Sequence, residues 1–86
     1  MDAATFIQNG FHNRHIRFEI DGKVFSGVVV DDPNHKEGKS KRTDYTFIPT
    51  RHMKEWHSYQ KENNKGKMYS LSSVIDIALI TRAELI

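Results

Sequence analysis

Hydrophobic and polar positions alternate most clearly over residues 16–32, and this stretch organises our expectations for the chain. Residues 16–20, IRFEI, carry an apolar side chain at every second position, the pattern of a half-buried strand. A second run, residues 23–30, is rich in β-branched and aromatic side chains. Asp21 and Gly22 lie between the runs, and this dipeptide favours a tight turn because both turn positions need a positive φ. The pattern predicts a β-hairpin.

Further apolar runs predict a small antiparallel sheet. Residues 43–48, 68–71 and 74–80 each read as a short strand. Strands that follow one another without alternating helices favour antiparallel pairing. Gly27, inside the second run, predicts a bulge or bend of the kind that a closed barrel needs. We expect mainly β structure, with five strands closing into a barrel and residues 1–86 forming one domain.

The expected core consists of the apolar side chains that these strands direct inward. Its members are Phe18, Ile20, Phe25, Val28, Val30, Phe47, Ile75, Ile77 and Leu79. A chain of this length buries only about 60% of the surface that it exposes when unfolded, so the core is thin. A deep, water-excluded active site is therefore not expected beside it.

Two short helical segments flank the strands. Residues 2–9 favour a helix, with Asp2 as its N-cap and Gly10 beyond its end. Residues 63–67 read as a turn, and residues 81–86 as a closing helical turn.

A third helix, over residues 51–62, is inserted between strands and can be capped by Thr50. Met53, Trp56 and Tyr59 recur along it at a spacing of three, which places them on one side. We favour the interpretation that this stripe packs on the barrel and buries Trp56. The alternative is that the stripe is only partly covered and docks a protein partner.

Basic residues are concentrated in a predicted loop, residues 31–42, which has no apolar residue except its proline. We expect residues 33–42 to be the least ordered internal segment, because they have nothing to bury. Lysine and arginine side chains could neutralise phosphates here, and an aromatic ring could stack on a base. The candidate nucleic-acid-binding residues are Lys36, Lys39, Lys41, Arg42, Tyr45, Lys65 and Lys67.

The first part of the chain also resembles a known family. The resemblance covers residues 6–31 and consists of Phe6-Ile7, the strand before Asp21-Gly22, Phe25, Gly27 and the apolar run towards Asp31 or Asp32. It is a resemblance to the first half of an Sm-like domain, and it implies a five-stranded SH3-like or Sm-like barrel. It also implies RNA binding through an Asp, an aromatic and an Asn, and ring assembly through strand edges. In this chain Asp32 and Asn34 flank Pro33 with no aromatic, and Lys65-Gly66 could correspond to the family's basic–glycine pair.

Composition restricts the function only broadly. Thirteen basic and eleven acidic residues give a net charge of +2, which is compatible with almost any partner. The chain has no cysteine, which excludes disulfides and thiolate ligands and fits a reducing compartment. It shows neither a signal-peptide pattern nor an apolar run of about 20 residues, so we expect a cytoplasmic protein without a membrane segment.

No motif indicates catalysis or a metal. His12 and His15 are three positions apart and His52 and His57 are five apart, so neither pair has the i, i+4 spacing of a zinc helix. The acidic residues 31–32 would point to opposite faces of a strand, and spacing places no base beside a serine. We expect no catalytic residues, cofactor, metal or small-molecule substrate.

Three functional hypotheses follow from these observations. The leading one is a non-enzymatic interaction module that docks a protein partner, or a second copy of itself, through the 51–62 helix and an open barrel edge. The second is binding of RNA or another single-stranded nucleic acid through the basic loop and nearby aromatics. A small enzyme is the third.

Overall fold

A computed structural model describes residues 1–32, 38 and 42–86, and most of its strands and helices lie close to the expected positions. In chain order the elements are α1 (Ala3–Gln8), β1 (His15–Ile20), β2 (Lys23–Asp31), β3 (Asp44–Pro49), a 3₁₀ turn (Thr50–His52), α2 (Met53–Lys61), α3 (Lys65–Ser70), β4 (Ser73–Asp76), a second 3₁₀ turn (Ile77–Leu79) and β5 (Arg82–Leu85). The strands form one antiparallel sheet in the order β4-β3-β2-β1-β5. The expectation of mainly β structure with five antiparallel strands and short helices is confirmed.

The sheet does not close into the expected barrel. In the part of the chain that the structure describes, β4 pairs with β3 alone and β5 pairs with β1 alone, so these two strands are its edges. Residues 81–86 contain the edge strand β5, and the expectation of a helical turn there was wrong. Closure would need β4 to pair with β5, and the topology places them at opposite sides.

The expected long strand over residues 74–80 is interrupted at Asp76. The Asp76 carboxylate accepts a hydrogen bond from the Ala78 N–H at 3.0 Å and caps the second 3₁₀ turn. That local bond ends β4 and redirects the chain towards β1. Short polar side chains compete with ladder bonds in this way, and an apolar pattern does not show it.

Residues 68–71, expected as a strand, instead fall at the end of helix α3. Asn64 starts this helix, since its side-chain oxygen accepts a hydrogen bond from the Lys67 N–H at 3.2 Å. Met68 is buried against Ile48 and Trp56. Residues 68–71 are too few for their apolar pattern to distinguish a strand from a helix. Packing on α2 and the sheet therefore decides their conformation.

The β1–β2 hairpin is confirmed. Asp21 and Gly22 have φ angles of 52° and 76°, so both turn positions are left-handed. The antiparallel register is continuous along the whole of β1. The turn chemistry and the alternating pattern thus agree, which is why this element was predictable.

Gly27 does not form the expected bulge, because its pairing with β1 and β3 is continuous. Its role is to permit close approach. A Cβ atom at this position would lie 2.1 Å from the Ile48 carbonyl oxygen and 2.8 Å from Cε1 of Phe47. The Phe47 ring therefore occupies the space that a side chain at Gly27 would need.

Both faces of the central strands are covered, at least in part. On one face, Phe6 of α1 and residues of the second 3₁₀ turn join a buried cluster that also contains Ile16, Phe18, Val29, Tyr45, Phe47, Ile77 and Ile80. On the other, α2 and α3 pack Trp56 and Met68 against Ile48. The core is therefore divided between two sides of one sheet.

The expected core is confirmed for Phe18, Phe47 and Ile77, which are buried, while Ile20 and Ile75 are partly buried against the same cluster. Leu79 was wrong. It lies in the second 3₁₀ turn and is 55% exposed, because the strand expected to direct it inward has already ended.

The expected alternation of buried and exposed residues along β2 was wrong. Without a bulge, Phe25 and Val29 share a face with Gly27, while Val28 and Val30 lie on the other. Val29 is fully buried, Phe25 is 37% exposed, and Val30 packs at the edge of the Trp56 cluster.

Helix α1 begins as expected. The Asp2 carboxylate accepts the Thr5 backbone N–H at 2.7 Å, and this hydrogen bond lowers the pKa of Asp2. Gly10 follows the helix with φ 75°, and Phe6 is fully buried in the sheet face beneath. The short helix is thus held by its cap and one buried ring.

Replacing Ile77 by Ala should lower the free energy of unfolding by about 2–5 kcal/mol, since it removes a fully buried side chain. The matched change Leu79→Ala, two residues away and exposed, should shift it by less than about 0.5 kcal/mol. Urea denaturation followed by circular dichroism measures both. Equal losses would show that the second 3₁₀ turn is packed differently.

Replacing Gly27 by Ala should lower the free energy of unfolding by about 3 kcal/mol or more, because the new Cβ would overlap the Ile48 backbone. Gly66→Ala is the control. It has no close neighbour, and alanine in a helix should stabilise by about 0.5–1 kcal/mol. A mild effect of Gly27→Ala in the same denaturation assay would contradict the close approach.

Candidate functional site at the open end of the sheet

Three phenylalanine rings form an aromatic cluster on the face of the sheet that carries α1. Phe18 stacks on Phe25 with ring centroids 5.5 Å apart and meets Phe47 edge-on at 5.1 Å. Phe25 and Phe47 are 6.2 Å apart. Phe18 and Phe47 are buried, but Phe25 is 37% exposed, so the cluster reaches the surface.

The exposed side of this cluster is a cavity of about 220 Å³, which we call the aromatic cup. Its wall consists of Phe18, Ile20, Phe25, Phe47, Pro49, Arg51, Ser73 and Ile75. Most of these side chains are apolar, and Arg51 is the charged residue among them. Partner proteins commonly bind such partly open aromatic surfaces.

The edge strand β4 contributes one wall of the cup through Ser73 and Ile75. The Ile77 N–H donates to the Thr43 carbonyl at 2.9 Å and continues the β3–β4 register. Residues 73 and 75 therefore bond to β3, and Val74 between them directs its N–H and C=O away from the sheet. The Val74 side chain is 59% exposed.

A second, wider groove of about 480 Å³ continues from the cup. It shares Phe25, Phe47, Pro49 and Arg51 with the cup and adds Val24, Ser26 and Thr50. The Thr50 hydroxyl lies 2.9 Å from Nε2 of His15 and 3.0 Å from the Ser26 hydroxyl. We call His15, Ser26, Thr50 and Arg51 the polar arm.

Sequence reasoning missed the polar arm. Thr50 was expected as a helix cap, but it makes no capping bond and begins a 3₁₀ turn instead. Ser26 is 24 positions from Thr50, and His15 is 35, so only the pairing of β1, β2 and β3 brings them together. The signal that could have found them is strand register, which periodicity alone does not fix between β2 and β3.

The predicted nucleic-acid-binding residues are distributed over several elements. Arg42 is exposed just before β3, and Lys65 and Lys67 are exposed on α3. The other three basic residues, Lys36, Lys39 and Lys41, lie outside the described residues, as do most of residues 33–42.

Tyr45 is only 6% exposed, which removes it from the predicted base-stacking surface. Its ring packs 6.3 Å from Phe6 and 5.6 Å from the His12 ring. Burial, and then the negative charge of Asp31, raise the pKa of the Tyr45 hydroxyl. A ring held in the core cannot receive a base without leaving it.

The predicted docking stripe on α2 faces the sheet. Trp56 is 8% exposed, as we expected, and meets Tyr69 of α3 edge-on at 5.4 Å. Met53 and Tyr59 are partly buried beside it. The ammonium group of Lys67 lies 5.8 Å from the centre of the Tyr59 ring. Helices α2 and α3 therefore bring together one predicted nucleic-acid-binding residue and one residue of the predicted docking stripe.

Within the described parts of the chain, no group of three or more histidine or acidic side chains could hold a metal ion. His12 contacts Asp31 at 3.0 Å, and the described residues add no third side chain to this pair. Among the same residues, no helix has the length and apolar character needed to cross a bilayer.

Comparisons with known proteins add no assignment. No protein-family model matches the chain, and no curated protein or solved structure matches it. The Sm-like resemblance therefore stays an expectation, and the geometry of the cup and its neighbouring edge carries the functional argument.

Proposed function

We propose that the protein is a non-enzymatic interaction module that binds an extended segment of a partner protein. The segment adds to the edge of β4 and places an apolar side chain in the aromatic cup. The observation that carries this proposal is the position of Ser73 and Ile75, which belong to the open edge and also line the cup. One bound strand could therefore use both features.

The two features supply different parts of the recognition. Backbone groups of an edge strand pair with any extended chain, so they give affinity without selecting a sequence. Val74 offers one donor and one acceptor for this purpose. A neighbouring pocket that accepts one side chain adds selectivity.

The cup can supply a useful part of the binding energy. Full burial of a Leu or Phe side chain contributes about 1.5–3 kcal/mol, and contact with phenylalanine rings adds to it. Phe25 also loses its exposed surface when the cup is filled. A few backbone bonds and one anchor of this size are typical of modest, reversible affinity.

The related expectations are retained as proposals. A hairpin with an Asp-Gly turn and a five-stranded antiparallel sheet support a relationship to SH3-like or Sm-like domains, although the sheet is open. We retain the cytoplasm as the proposed location because the chain has no cysteine. The α2 stripe is no longer the proposed contact surface, since Trp56 is buried.

Peptides selected from a random displayed library on the intact protein, then resynthesised, test this function. Phe25→Ala should weaken them more than about tenfold, because it removes the cup wall. Val74→Pro should weaken them by a similar factor, since proline lacks the outward N–H but leaves the β3 ladder intact. Isothermal titration calorimetry measures both affinities.

Two matched variants control this experiment. Val74→Thr keeps the N–H and the branched shape and should retain affinity, while Leu79→Ala removes an exposed apolar side chain outside the cup. Unchanged affinity of Phe25→Ala and Val74→Pro would reject the proposal, as would failure to select any peptide. A mass that rises with concentration and is lost in Val74→Pro would instead identify a second copy as the partner.

Binding of single-stranded nucleic acid is the alternative, supported by the exposed Lys65 and Lys67 beside Tyr59. The double change Lys65→Ser and Lys67→Ser should reduce the salt dependence of oligouridine binding by a slope of about 1.4, or about 0.7 for each phosphate contact. Lys23→Ser with Lys54→Ser removes the same charge elsewhere and should leave the slope unchanged. Fluorescence anisotropy over a salt series measures this slope. If the unaltered protein does not bind oligouridine, the nucleic-acid alternative is excluded.

A further inference from the structure

The groove has an apolar end and a polar end, and Arg51 borders both. The aromatic cup and the wider groove share Phe25, Phe47, Pro49 and Arg51, while the alternation along β2 directs Ser26 to the face opposite to Phe25, so the groove passes from the cup around the edge of β2. Only the wider groove contains the hydroxyls of Ser26 and Thr50. A ligand in the cup therefore meets Arg51 at its border, and the hydroxyls lie further along the groove.

Arg51 is available to pair with an anion. It is exposed, and the described residues provide no ion pair for its guanidinium. Arg17 on β1, by contrast, is already paired with Glu84. A guanidinium presents parallel N–H donors that match the two oxygens of a carboxylate.

The three other polar side chains of the polar arm are linked by hydrogen bonds. The Thr50 hydroxyl lies 3.0 Å from the Ser26 hydroxyl and 2.9 Å from Nε2 of His15. Thr50 and Ser26 both line the groove, and a hydroxyl can donate to an acceptor that enters it.

We infer that the polar arm binds a carboxylate of the partner segment, adjacent to the apolar side chain in the aromatic cup. This inference rests on the proposed function and specifies the chemistry of its ligand. Arg51 contacts the carboxylate, Ser26 and Thr50 offer hydroxyl donors further along the groove, and His15 is a positioning residue that holds the Thr50 hydroxyl. The partner is thus an acidic peptide segment with a neighbouring apolar anchor.

Charge favours a carboxylate over a phosphate in this position. The polar arm supplies one permanent positive charge, Arg51, together with neutral hydroxyl donors. A carboxylate carries one negative charge, whereas a phosphate monoester carries between 1.5 and 2 at about pH 7 and usually meets a cluster of cations. The lysines of α3 do not line the groove.

Two small probes test the inference, N-acetyl-leucine and N-acetyl-leucinamide, which share a side chain and differ in the carboxylate. Titration followed by amide chemical shifts in ¹⁵N spectra should show the acid binding about fivefold more tightly, as expected for a partly exposed ion pair. Arg51→Gln should remove this preference and leave the affinity of the amide unchanged. Ser26→Ala should reduce it in part.

Control variants separate the polar arm from general charge effects. Arg82→Gln removes the same charge on β5, outside the cup and the wider groove, and should keep the preference for the acid. The affinity of the amide for each variant also reports whether the cup is still intact. Phe25→Ala should weaken acid and amide alike.

The outcomes distinguish failure of the inference from failure of the proposed function. Equal binding of acid and amide, both weakened by Phe25→Ala, would overturn the carboxylate site and leave the cup. If neither probe binds, both the carboxylate site and the proposed function are overturned. Tighter binding of N-acetyl-O-phosphoserine amide than of N-acetyl-leucine would show that the polar arm takes a phosphate and not a carboxylate.

Discussion

The position of the Phe47 ring over Gly27 is the contact on which the rest of the structure depends. Because Gly27 has no side chain, β3 can hold Phe47 directly above β2, with the Ile48 carbonyl close beneath it. Phe47 then reaches Phe18 and Phe25, and the three rings connect β1, β2 and β3. A single missing methyl group thus determines both the packing of the central sheet and the wall of the aromatic cup.

The two central strands carry apolar side chains on both faces, and a small domain has little material to cover them. Helices α2 and α3 cover one face, where Trp56, Met68 and Ile48 meet. On the other face, α1 and the second 3₁₀ turn bury Phe6 and Ile77, but Phe25 remains partly open. The cup is therefore the part of a two-sided core for which the described chain provides no complete cover.

How far the sequence predicts this structure depends on whether the deciding interaction is local. The hairpin, the cap at Asp2 and the burial of Trp56 follow from neighbouring residues or from one helical spacing, and they were predicted. The end of β4 at Asp76 and the helix at Met68 depend on a side-chain bond and on packing between helices, so apolar periodicity missed them. The polar arm joins residues of β1, β2 and the 3₁₀ turn after β3 that only strand register brings together, and no sequence pattern marks it.

The burial of Trp56 also has a spectroscopic consequence. It is the single tryptophan of the chain, and it lies between the sheet and Tyr69 on the side opposite the cup. Its emission therefore responds to loosening of the two helices, while the phenylalanine rings of the cup contribute almost nothing at the same wavelengths. The protein carries an intrinsic optical label for one half of its core, so separation of the helices from the sheet can be observed independently of events at the other face.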